Sequence, residues 1–362
     1  MRVRSSVFVL DLLLAASLVR PGGAIAQQEA ASEKTTSPAD STARSPGSYA
    51  IYTSSGTPAT LDDIVAATDP VDVVFVGEVH DDAVAHALQD SLWQRIVEST
   101  ERRSVVLSLE MFERDVQPVL DEYLQGTISE QHFLDDARAW QNYATAYHQM
   151  VETAKMETRV VLAANAPRRY VSQVARGGPD ALSGLSRWAR QWLAPLPFPG
   201  PTTAYQEKWN TLMRQAMPPG HGAEAPGAST DASTNEQTHS TSAGNVLAQG
   251  ASMHRASPHG NTGLSTMLQA QALWDATMAF TIAEHLTRQP QSLIMHVTGA
   301  FHVSHGSGTP DALQHYRPGT RDLVVLIRPT PDPDTFVSEE HTGLGDFVIL
   351  TEQGGRREAG DS

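Results

Sequence analysis

Four consecutive apolar positions, Val73-Val74-Phe75-Val76, run into Gly77 and then meet Glu78 and His80. An apolar run of that length closed by glycine predicts a short strand buried on both faces. Leu293-Ile294-Met295-His296-Val297-Thr298 repeats the plan and ends in Gly299-Ala300-Phe301-His302. Two strands that each finish in Gly-x-x-His predict two walls of one site. Val105 to Leu109, Val160 to Ala164, Leu323 to Ile327 and Phe347 to Leu350 are further runs of strand length. Tyr49 to Thr53 predicts a short strand ahead of a turn at Ser55-Gly56-Thr57-Pro58.

Between these runs the apolar spacing turns helical. Val84, Leu88, Trp93 and Ile96 mark a helix over 83–99, and Thr60-Leu61-Asp62-Asp63 is a capping box opening a brief one. Residues 115–157 read as helix in three pieces, broken at Gly126-Thr127 and near Gln141-Asn142, with more helix to about 215. Leu264, Met267, Ala270, Leu273, Ala276, Met278 and Ile282 predict a helix over 264–287. Strands alternating with helices predict an α/β fold: a largely parallel sheet flanked by helices, with an added helical subdomain.

The flanks are different material. Arg2 and Arg4, the apolar stretch Val7 to Val19 and the small-x-small site Ala24-Ile25-Ala26 predict an export signal over 1–26, cleaved after Ala26. The run is too short for a membrane span, and no other stretch comes close, so no transmembrane segment is expected. The destination is then the periplasm or cell envelope. Residues 27–47 predict a disordered leader, 218–262 a disordered insertion rich in Gly, Ser, Ala and Pro, and 353–362 a polar tail. The domain proper is residues 48–352.

Composition narrows the partners. The 362 residues, 40% hydrophobic, suffice for one sizeable core. The net charge of −15, near −17 once 1–26 is removed, argues against nucleic acid, whose phosphates would be repelled. Cysteine is absent, which excludes disulfides, thiolate metal sites, a cysteine nucleophile and a lipid anchor on an amino-terminal cysteine.

Candidate chemistry gathers at strand ends, where open α/β sheets place their ligands. Glu78 and His80 stand two residues apart, so an extended chain puts both side chains on one side, as a metal-ligand pair or as acid and base. The plainer alternative is a polar elbow braced by Glu78. His302 carries similar weight, while His305 is either a second ligand or an exposed loop histidine. Glu110 also ends a buried run, where an acid is costly unless paired. Asp275 lies between apolar neighbours on its helix, as cap, ion-pair partner or site residue. Asn165 and Arg168 end a third strand, and the guanidinium could orient a carboxylate. Trp140, Tyr143 and Tyr147 fall on one face of a presumed helix, a stripe that serves a core as readily as a cofactor, although a tyrosine phenolate can ligate ferric haem. His148 and the histidines at 221, 239, 254 and 259 have no ligand spacing.

The order of these motifs is similar to that of a known family. Val-Phe-Val-Gly-Glu-Val-His-Asp-Asp, then Leu-Glu-Met-Phe-Glu-Arg-Asp-Val-Gln-Pro-Val-Leu-Asp-Glu-Tyr-Leu-Gln-Gly, is followed by Trp140 and by Tyr147 ahead of Val151-Glu152. Ala163-Ala164-Asn165-Ala166-Pro167-Arg168, Gln271-Ala272-Leu273-Trp274-Asp275-Ala276-Thr277-Met278-Ala279 and Gly299-Ala300-Phe301-His302 complete the series. Over about 49–350, the insertion excepted, the chain resembles the ChaN-like haem-binding family. The resemblance implies an exported haem-binding protein of haem or iron uptake, in which a homodimer encloses two haems face to face. A tyrosine would ligate iron, carried here to Tyr147 with Tyr143 as competitor, while Glu78, His80, His302 and Arg168 line or brace the pocket. Lys155 is the lysine nearest the aromatic residues. The wider superfamily implies an alternative, since erythromycin esterase-like hydrolases and Tiki-type metalloproteases share the strand-end Glu/His elements. In that reading Glu78, His80, Glu110 and His302 hold a divalent metal or activate water directly.

Overall fold

The two Gly-x-x-His strands are neighbours. In the computed structural model, which describes residues 48–99, 103–216 and 260–353, eight strands form one sheet. They are β1 (Tyr49–Thr53), β2 (Pro58–Ala59), β3 (Val73–Glu78), β4 (Val105–Glu113), β5 (Val160–Asn165), β6 (Leu293–Gly299), β7 (Asp322–Thr330) and β8 (Phe347–Glu352). Their order is β2-β1-β8-β7-β3-β6-β4-β5. From β8 to β5 every pairing is parallel, and β1 closes the far side antiparallel to β8 and β2. The parallel register sets Glu78 opposite Gly299, so both elbows leave the sheet side by side.

The apolar runs are continuous because both sheet faces are covered, yet the pleat still sorts them. Val74 and Val76 join one core cluster, with Trp93 and Ile96 of helix α2 (Ala83–Ser99). Val73 and Phe75 join the opposite cluster, with Ile282 and Leu286 of the helix Gly260–Arg288. Before α2 comes α1 (Leu61–Ala67), whose start is fixed by the expected reciprocal capping box of Thr60 and Asp63. Among the described residues no helix is long and apolar enough to cross a membrane.

Between β4 and β5 lie α3 (Gln117–Leu124), α4 (Glu130–Asp136), α5 (Tyr143–Ala146) and α6 (His148–Met156). Here two expectations need correction. Trp140, Tyr143 and Tyr147 do not share one helix face: Trp140 precedes α5, and Tyr147 is the non-helical joint between α5 and α6, at φ −123° and ψ −16°. Glu110 does not end its strand either, because β4 continues to Glu113 through an irregularity after Leu109. After β5 follow α7 (Arg168–Gly177), α8 (Arg187–Arg190) and α9 (Thr203–Ala216), then α10 (Gly260–Arg288), and beyond β6 come α11 (Thr309–Tyr316) and α12 (Ser338–His341). Residues 260–262, expected in the insertion, begin α10. The export signal, the leader, the rest of the insertion and the tail after Gln353 lie outside the described residues.

Candidate functional site

Glu78 is the last residue of β3, and its side chain is buried beneath α2 and the α5–α6 joint. A carboxyl group in that position needs hydrogen-bond donors. It has three: His80 Nδ1 at 2.9 Å and the Tyr147 phenol on Oε1, and Gln89 Nε2 at 2.6 Å on Oε2. His86 Nε2 stands 3.4 Å from Oε2. Glu78 and His80 thus do project to one side. Trp140 packs edge-on against the His80 ring at 4.9 Å, and Asn142 Nδ2 donates to the His80 carbonyl at 3.0 Å.

A second carboxyl–imidazole pair stands across the strand junction. His302 Nδ1 donates to Asp275 Oδ1 at 2.9 Å, an atom that also accepts from Thr309 Oγ1 at 2.8 Å. Asp275 Oδ2 accepts from the Tyr205 phenol. Glu110 lies between the two pairs. Its Oε2 accepts from Thr298 Oγ1 at 2.6 Å and the Gly299 amide at 2.8 Å, and its Oε1 is 3.9 Å from His302 Nε2.

The charges of this cluster are mutually dependent. Burial alone would raise the Glu110 carboxyl, but the charges of His302 and His80, with the bonds from Thr298 and Gly299, hold it down at about 2. Burial would lower both histidines, yet both are raised. For His80 the Glu78 bond and the Glu110 charge prevail, and for His302 the charges of Asp275 and Glu110. Among the described residues no three histidine, aspartate or glutamate side chains are placed to hold one metal ion. Glu78, His80, Glu110 and His302 are brought together as one buried cluster in which Glu78 is hydrogen-bonded to His80, His302 to Asp275, and Glu110 stands between the two pairs.

The packing around Gly299 is close. A Cβ there would lie 2.9 Å from His80 Nε2 and 3.1 Å from its Cε1. Gly299→Ala is expected to push His80 off Glu78 and cost about 1–3 kcal/mol, the usual range for overpacking. Urea unfolding reads this directly, and an unchanged midpoint would show that His80 yields freely.

The other sequence candidates stand further out. Tyr147 is 0% exposed and Tyr143 nearly so, and among the described residues no hydrogen-bond partner reaches the Tyr143 phenol. Burial, and for Tyr147 the charge and bond of Glu78, push both phenols well above their ordinary range. Arg168 lies over the Trp140 ring at 5.5 Å, and Asn165 Oδ1 accepts from the Ala166 amide. Lys155 sits 3.6 Å over the Tyr123 ring.

Beside the network, a cleft of about 700 Å³ opens between α9 and the carboxyl ends of β3 and β7. Val79, Leu212, Phe301 and Leu326 give it apolar walls, and Lys208, His305 and Arg328 line it with Glu207. Lys208 and Tyr205, both on α9, and Gln89 and Thr309 escaped the sequence reading. Tyr205 and Trp209 bracket Lys208 with aromatic rings, a signal that this helix face is buried.

The chain matches the sequence model of a family described as haem-binding uptake, Tiki superfamily, ChaN, over residues 64–313. No curated protein sequence matches it significantly. Among solved structures it is similar to ChaN of Campylobacter jejuni with cofacially bound haem, at 17% identity and a TM-score of 0.57, covering 84% of this chain and 97% of that one. An erythromycin esterase mutant in its open conformation aligns at 12% identity and a TM-score of 0.38, covering 84% of this chain and 83% of that one. The match over 64–313 takes in both Gly-x-x-His elbows, Glu110 and Asp275, and the chain belongs to the haem-binding ChaN family of the Tiki superfamily.

Proposed function

We propose that this chain binds haem outside the cytoplasm, as an exported protein of the periplasm or cell envelope that serves haem or iron uptake. Family membership supports the haem, and one structural observation carries it to this chain. The cleft beside α9 has apolar walls, two cationic side chains on its lining and a volume of about 700 Å³, within the usual range for small-molecule and cofactor sites. Apolar walls suit a porphyrin face, and Arg328 supplies a cation for a propionate on an acidic protein, the Lys208 ammonium being bonded to the carbonyls of Phe301, Ser304 and Ser307. When bound, haem supplies its own redox and ligand chemistry. The protein would supply apolar walls, counter-charge and a ligand for the iron. Cofacial binding in the Campylobacter jejuni protein makes a homodimer the matching assembly.

A tyrosine ligand carries a condition. Tyr147 and Tyr143 are not among the residues lining this cleft, and the Tyr147 phenol is committed to Glu78. Ligation through Tyr147 requires Glu78 to release it and the α5–α6 joint to open. Haemin titration of the full chain, followed by absorption, is expected to show saturable binding with a defined Soret band. Tyr147→Phe is expected to leave binding in place. Absence of saturable binding by the wild-type chain would sink the haem reading.

A further inference from the structure

The loop after β6 is held more firmly than a connection requires. Within four residues it carries three left-handed positions: His305 at φ +61°, Gly306 at +63° and Gly308 at +103°. Glycine adopts these angles freely, whereas histidine does so at a cost and persists only where its surroundings fix it. Lys208 Nζ donates to the carbonyls of Phe301 at 2.6 Å, Ser304 at 3.1 Å and Ser307 at 3.0 Å, so the ammonium spends its three hydrogens on this one loop. The His305 amide donates to the Leu344 carbonyl at 2.9 Å, and His305 Nδ1 lies 3.2 Å from the Gly343 carbonyl oxygen.

That last bond decides the tautomer. A carbonyl oxygen only accepts, so Nδ1 carries the hydrogen and the lone pair of the neutral ring is on Nε2. An imidazole fixed by Nδ1–H to a backbone carbonyl, with Nε2 taking no partner among the described residues, is the arrangement that metal-ligating histidines use. His305 is exposed and lines the cleft. Partial burial and the charge of Lys208 hold it below the ordinary histidine value, against the opposing effect of the Gly343 bond and with Arg328 adding to the lowering.

We propose that His305 Nε2 is a ligand for haem iron in this cleft, with Arg328 on the same lining as counter-charge for a propionate. The inference rests on the haem-binding reading above. It makes Lys208 a positioning residue, since its three bonds hold the loop that presents the imidazole.

The left-handed backbone offers a clean test, because glycine accepts φ +61° without strain. In haemin titrations of the full chain, His305→Gly is expected to weaken binding at least about tenfold, roughly 1.4 kcal/mol, and to shift the Soret and visible bands. Added imidazole is expected to restore the wild-type spectrum, which a residue that merely staples the loop to Gly343 would not allow. His305→Asn, which also tolerates the left-handed region, puts the same question if the glycine variant fails to fold. Unchanged spectrum and affinity in these variants overturn the ligand assignment while haem binding stands. A loss that imidazole does not restore likewise overturns it, and assigns His305 to loop structure. No saturable binding by the wild-type chain removes both readings together.

Discussion

Asp275→Ala is expected to lower the unfolding free energy by about 3–5 kcal/mol, the cost of removing one partner from a buried, charge-assisted network. Asp275 is only 3% exposed and takes three donors at once: His302 Nδ1, Thr309 Oγ1 and the Tyr205 phenol. These come from three elements, the turn after β6, α11 and α9, so a single carboxyl group ties them to α10. Alanine leaves all three donors buried without an acceptor, and each such orphan costs roughly 1–3 kcal/mol. His302 also loses the charge that does most to offset its burial. Asp275→Asn keeps the shape and one acceptor oxygen, and is expected to recover part of the loss. Urea unfolding of the two variants beside wild type measures both effects. An Asp275→Ala midpoint within about 1 kcal/mol of wild type would mean that water or rearranged donors replace the carboxyl group.

Both Gly-x-x-His elbows were legible because their strands are buried on two faces. A strand covered on both sides is apolar at successive positions, and Val73 to Val76 stands out in any window. Its last residues did not. Glu78 and Glu110 belong to strands, but an acid after an apolar run reads as the run's end. Only the fold shows the donors that keep each acid inside the sheet, such as the Gly299 amide for Glu110. The aromatic residues at 140, 143 and 147 failed for a different reason. Their spacing fits one helix as well as two short turns meeting at Tyr147, and periodicity alone cannot separate these. Helix α11 was missed because Thr-Pro-Asp-Ala-Leu-Gln-His-Tyr offers too short an apolar face to register.

The site divides the same way. Glu78, His80, Glu110 and His302 were candidates because they follow buried apolar runs, and Asp275 because its helix neighbours are apolar. Gln89, Tyr205, Lys208 and Thr309 lie on helices, where a polar side chain ordinarily faces solvent. The burial of Gln89, Tyr205 and Thr309, and the half-burial of Lys208, follow from how α2, α9 and α11 pack over the strand ends. The sequence held one usable hint, the aromatic pair Tyr205 and Trp209 around Lys208. For His305 it offered only the spacing from His302, which left a ligand and an exposed loop histidine equally open, because the tautomer depends on a carbonyl 38 residues further along.

Glu110→Gln is expected to flatten the acid limb of the stability profile. The Glu110 carboxyl sits at about 2 against an ordinary 4.5, so the folded state favours its charged form. A depressed carboxyl contributes stability that is present above its unfolded value and lost as pH falls through its folded one. The difference is worth roughly 3 kcal/mol, lost between about pH 4.5 and pH 2. His80 and His302 run the other way. Both are raised above 6.5, so their contribution is complete below that pH and fades as pH rises through their folded values. The cluster therefore stabilises the fold most between about pH 4.5 and 6.5. Glutamine can still accept from Thr298 and the Gly299 amide, but it cannot titrate, and it removes the charge that both imidazoles share. In Glu110→Gln the loss toward pH 2 is expected to shrink, and the alkaline decline to begin at lower pH. Urea midpoints for the two proteins from pH 2 to 8 give both limbs, and curves that stay parallel throughout would show that Glu110 is not the charge holding these histidines.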